Sequence, residues 1–101
     1  MSYVRPNGDR YASLRATLDD AITQASTGKG HERHDNGRPF EEQDICEINR
    51  KLGSPDFVLG QALKKTIESK RLERDAAVRE LLGAINYLAA AIIYLREPRN
   101  G

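Results

Sequence analysis

The run from Leu81 to Leu95, LLGAINYLAAAIIYL, constrains this chain more than any other feature: 13 of its 15 positions are apolar, and no polar face interrupts them. A helix spanning a bilayer needs roughly 20 such residues. Here Arg79, Glu80, Arg96 and Glu97 close the run at both ends, so it reads as a helix buried in protein. At 100° per residue, Leu81, Leu82, Ile85, Leu88, Ile92 and Leu95 form one stripe, which the preceding helix is expected to cover as an antiparallel hairpin partner. Opposite run Ala84, Tyr87, Ala91 and Tyr94, and Gly83, Asn86 and Ala90 form a third strip. A chain this short has few other elements to cover them, and an exposed patch of that size is typical of an interaction site. The expectation is a homo-oligomer built on the C-terminal helix. Buried there, Asn86 needs a hydrogen-bond partner, for which a symmetry-related Asn86 is one candidate. The alternative is that the first helix folds across the open face and completes a monomeric bundle.

With 101 residues, one domain is expected, spanning 9–98 behind a flexible start at 1–8 that contains Pro6, Asn7 and Gly8. The charge is balanced: 31% charged residues and a formal net charge of +1 leave no global excess for a nucleic acid polymer or an anionic membrane. Cys46 is the single cysteine and makes no disulfide within one chain, and MSYVRPNGDR lacks the apolar core of a signal peptide. These features suit a reducing cytoplasm.

The remaining elements read as all-α. Asp9 can cap a short amphipathic helix whose apolar residues Tyr11, Leu14, Leu18, Ala21, Ile22 and Ala25 recur every three or four positions, ending at Thr27-Gly28. A polar loop, TGKGHERHDNGR from Thr27 to Arg38, follows with three glycines and no hydrophobic residue. Pro39 is expected to open a second helix with apolar face Phe40, Ile45, Ile48 and Leu52, which Gly53 stops. Ser54-Pro55-Asp56 starts a third, carrying Phe57, Val58, Leu59, Ala62, Leu63 and Ile67. A tight reversal at Arg71 to Asp75 then leads into the C-terminal helix. Arg71 with Asp75, and Asp75 with Arg79, have the spacing of helical ion pairs and read first as a solvated cluster.

His31, His34 and Cys46 invite a metal reading, but a structural zinc site takes four ligands, usually with paired cysteines, so no metal is expected. No cofactor motif, nucleophile elbow, HExxH or P-loop is present, and an enzyme is not expected. In the loop, Lys29, Arg33 and Arg38 alternate with glycines whose N–H groups can turn toward an anion. Arginine suits bidentate phosphate contacts and base stacking, with Phe40 or Tyr11 as an aromatic face. Taken alone, such a loop is more often plain solvent-exposed connection.

Taken together, TGKGHERH, RPFEEQDICEI, LGQALKKTIES and RELLGAINYLAAAIIYLRE resemble the phage Thoeris anti-defence sponge family, which shares a helical hairpin domain with the anti-CBASS sponges. The likeness runs from about Leu14 to Glu97. It implies a compact homohexamer in the cytoplasm of an infected bacterial host. Such a protein binds immune signalling nucleotides, cyclic ADP-ribose isomers or cyclic di- and trinucleotides, and sequesters them without cleavage. The ligand would be enclosed where protomers meet. The residues this nominates are Lys29, Arg33 and Arg38 for phosphate or ribose, Phe40 and Tyr11 for base stacking, and Asn86 and Arg96 as lesser contacts. Arg71 is the candidate for a second, trinucleotide-type pocket at a symmetry axis. The competing reading is a helical oligomer that docks a protein partner and takes no small ligand.

Overall fold

A computed structural model describes residues 8–27 and 37–98, and these form an all-α fold without a strand. The elements are α1 (Ala12–Thr27), a 3-10 turn (Phe40–Glu42), α2 (Asp44–Leu52), α3 (Asp56–Ser69) and α4 (Arg74–Arg96). All but one residue of the expected flexible start lies outside the described residues, as does most of the polar loop.

Local chemistry sets each boundary. Asp9 accepts from the Tyr11 N–H at 3.0 Å and pairs with Arg15 at 2.7 Å, holding the turn that precedes α1. The second helix departs from expectation, because Pro39 opens only the 3-10 turn and the chain straightens at Gln43 (ψ 165) before α2 begins. Gln43 accounts for the break. Its side chain donates to the Arg38 carbonyl at 2.8 Å, while its own carbonyl accepts from Cys46 and Glu47 and so starts α2. Gly53, at φ 69, ends α2 in the left-handed conformation that glycine adopts without cost.

The reversal between α3 and α4 needs no glycine. Lys70, Arg71 and Leu72 donate to the carbonyls of Ile67, Glu68 and Ser69, tightening the last turn of α3, and Glu73 then caps α4 by accepting from Asp75 and Ala76. Arg71 therefore precedes α4, and its expected helical pairing with Asp75 does not exist.

The hairpin packs on the opposite face of α4 from the one expected. Gly83, Ala84, Tyr87, Ala90 and Ala91 are buried, whereas Leu81, Leu88, Ile92 and Leu95 are 42–61% exposed. Periodicity shows which residues share a face; how closely two helices can approach decides which face turns inward. The small strip admits α3 closely. At Gly83 the aliphatic stem of Lys65 passes 3.1 Å from where a Cβ would stand, and its ammonium reaches Glu80 at 3.4 Å. On α3 the inward residues are Val58, Ala62 and Ser69, leaving Phe57, Leu59, Leu63 and Ile67 facing out. α2 adds Ile45 and Cys46 to this core, with Phe40, Ile48 and Ile93 packed against it, while Leu52 lies exposed.

α1 lies along α4. Asn86 donates its amide to the Ala21 carbonyl at 3.0 Å, so its partner is in the same chain and a symmetry mate is not required. Gln24 donates to the Arg79 carbonyl at 3.1 Å, which makes α1 antiparallel to α4. The first helix thus crosses α4, as a monomeric bundle would require, yet it buries only Ala21 and leaves Leu14, Leu18 and Ile22 exposed.

Candidate functional site

The nominated residues divide among three places along α4, whose 23 residues extend about 35 Å. Asn86 stands at mid-helix, held by Ala21. Arg71 lies beyond the N-terminal end, in the turn from α3. Four others gather toward the C-terminal end. Arg96 is in the last turn of α4, and the direction of α1 carries Tyr11 that way. Arg38 and Phe40 reach the same end through Arg50, which donates to the Glu41 carbonyl and pairs with Glu97. Lys29 and Arg33, like His31 and His34, lie outside the described residues.

At that end the aromatic and cationic groups are partly engaged already. The Arg10 guanidinium sits 5.6 Å from the centre of the Tyr11 ring, which remains half-exposed. Phe40 is half-buried against the core, so part of its ring is committed to packing. Arg38 is exposed and stands 3.9 Å from Glu42, a carboxylate with which an incoming anion must compete. Arg50 is closed to ligand: it holds Glu97 at 2.6 Å and Glu47 at 3.0 Å, and the Glu97 carboxylate raises its already high pKa further. What the end can do chemically is stack a flat ring on Tyr11 beside Arg10 and offer Arg38 and Arg96 to an anion.

Behind this end, burial pushes the Cys46 thiol up to about 11, which makes it a poor nucleophile and a poor metal ligand at neutral pH. Among the described residues no group of three or more His, Cys, Asp or Glu is placed to hold a metal. Asn49 is fully buried, with its amide 3.4 Å from the Ala90 carbonyl and its Oδ1 without a protein partner.

At the other end, Arg71 borders a shallow groove of about 250 Å³ on the outer face of α3, lined by Gly60, Leu63, Lys64, Ile67 and Glu68. Arg71 is nominated by the sequence, but the groove is not. Its signal was Gly60, a mid-helix glycine in step with Leu63, Ile67 and Arg71.

The largest feature is apolar. Among the described residues, fifteen large hydrophobic ones are 40–63% exposed, and five of the nine buried hydrophobic ones are alanines. α4 is also long and apolar enough to cross a membrane by length and composition, with a mean hydropathy of 1.5 over a window of which 22% is buried. Comparison with family models, with curated proteins and with solved structures gives no match to this chain.

Proposed function

We propose that this protein is a self-assembling helical protein that encloses a small anionic nucleotide between its copies and holds it without reaction. The observation that carries the assembly is the inverted distribution of side-chain size, with alanines and a glycine inside and leucines and isoleucines outside. Burying a fully exposed Leu or Ile side chain stabilises by about 1.5–3 kcal/mol; the fifteen outward residues are 40–63% exposed, so each contributes about half of that, and covering several of them together still favours association. The polar contacts α4 makes toward α1 and α3 favour a second copy of this chain as the cover over lipid.

The ligand class rests on the resemblance to the phage sponge family and is supported by the placement of the Arg10–Tyr11 ring contact, Arg38 and Arg96 toward one end of α4. On that reading the ligands are cyclic ADP-ribose isomers or cyclic di- and trinucleotides, the assembly is a hexamer, and the protein acts in the cytoplasm of an infected bacterium. Lys29 and Arg33 complete the phosphate contacts.

The test is to measure mass by light scattering, incubate the protein with these nucleotides, remove free ligand, heat-denature, and analyse what is released. An oligomer that returns intact nucleotide is the expected result. Converted nucleotide overturns the sequestration reading in favour of an enzyme, and no retention leaves an oligomer with a protein partner. An 11.3 kDa particle, or one that floats with liposomes, overturns the assembly itself.

A further inference from the structure

α3 presents a face that its own chain leaves unused. Gly60, Leu63, Lys64, Ile67, Glu68 and Arg71 border one groove, turned about half a circle from the inward residues Val58, Ala62 and Ser69. Leu63 and Ile67 are 61% and 54% exposed. Gly60 lies in the interior of the helix, where only proline is less favourable, and a Cβ built there meets nothing within 4 Å. Unlike Gly83, where a Cβ would stand 3.1 Å from the Lys65 stem, Gly60 has no packing reason within the protomer. Among the described residues, Lys64, Glu68, Arg71 and Asp56 make no ion pair.

We propose that this face is a two-fold contact in which α3 of one copy packs antiparallel on α3 of another, with the axis beside Lys65 and Thr66. The inference deepens the assembly reading above and rests on it. In that register Gly60 of one copy lies level with Arg71 of the other, Leu63 with Glu68, and Lys64 with Ile67. The flat guanidinium of Arg71 fills the space above the glycine. Leu63 and Ile67 meet across the axis, and Lys64 stands within one residue of level with the opposite Glu68. Arg71 also reaches toward Asp56, one turn before Gly60. A parallel pairing would instead set Lys64 against Lys64 and Arg71 against Arg71, so charge selects the antiparallel arrangement.

A two-fold contact closes on itself at two copies. The stripe Leu88, Ile92 and Leu95 on α4 stays outward and is free to join such pairs into a larger assembly with an even number of chains.

Gly60→Lys tests this directly, because lysine is a better helix former than glycine and has open space in the protomer, yet in the pair it sets an ammonium against the guanidinium of Arg71. The expected result is unchanged helicity by circular dichroism and a light-scattering mass reduced to half or below that of the natural chain. An unchanged mass overturns the α3 contact while leaving the assembly standing; a natural chain that is itself monomeric overturns both. As a second measurement, Gly60→Cys and Arg71→Cys chains, each carrying Cys46→Ala and a different tag, are co-expressed and oxidised. The expected product is the mixed disulfide dimer. Dimers of like chains in its place overturn the antiparallel register.

Discussion

Because burial pushes the Cys46 thiol up to about 11 from its usual 9.0, folding and thiol ionisation oppose one another. Between those values the folded chain keeps the proton and the unfolded chain loses it. The stabilisation is therefore complete below pH 9 and lost as pH rises through about 11. Cys46→Ala leaves a small cavity at every pH but removes this alkaline loss. The stability difference between the two proteins, from denaturant unfolding, should accordingly be smaller at high pH than at neutral pH. A difference equal at both would mean the thiol ionises as freely folded as unfolded. Arg50 is the second residue with structural weight, since it ties α2, the 3-10 turn and the end of α4 together. Glu97→Gln leaves its guanidinium without the closest carboxylate and should cost about 1–3 kcal/mol in the same measurement, with no change in oligomer mass. The Arg50 cluster was not legible in the sequence, because partners 47 positions apart leave no trace in local spacing.

At the scale of elements, the sequence displayed the helices clearly and concealed their orientation. Gly53 and the Ser54-Pro55-Asp56 start are local signals, and the boundaries they mark are observed. The inward face of α4 is a different kind of quantity. Its large stripe and its small strip are both apolar, so hydropathy alone ranks the leucines first, whereas the closeness of the hairpin favours Gly83, Ala84, Ala90 and Ala91. Two substitutions separate the faces. Ala90→Leu, at a position with no exposed area, overpacks the hairpin and should lower unfolding free energy by about 1–3 kcal/mol. Ile92→Asp, at 49% exposed, has room for its side chain within the protomer. It should keep helical content by circular dichroism while reducing oligomer mass. The reverse pattern would put the leucine stripe inside after all. The same ambiguity explains Asn86, whose polar amide in an apolar run demanded a partner without indicating which; α1 supplied it through a backbone carbonyl that no side-chain pattern advertises.

For the whole molecule, the site was legible only as residue types. Tyr11, Arg38, Phe40 and Arg96 are far apart in sequence and fall toward the same end of α4 because α1 runs antiparallel to it and Arg50 draws the 3-10 turn to Glu97. Arg71 and Asn86 fall elsewhere for the same topological reason. Under the proposed function the polar loop supplies further charge, so Lys29→Ala with Arg33→Ala should abolish nucleotide retention without altering mass; retention in that variant would shift the contacts to the Tyr11 end alone. Assembly also has a thermodynamic signature that depends on no particular residue. If the outward leucines and isoleucines are covered only between copies, folding and association are one equilibrium, and the folded state gains by mass action as protein concentration rises. A tenfold increase in concentration is worth somewhat less than about 1.4 kcal/mol per chain. For a domain of this size that moves the thermal midpoint upward by several degrees, given roughly 4–8 °C per kcal/mol. Melting curves followed by circular dichroism at concentrations spanning two decades should therefore separate progressively. Curves that superimpose would mean that the four helices hold together as a single chain, with the apolar faces left to water.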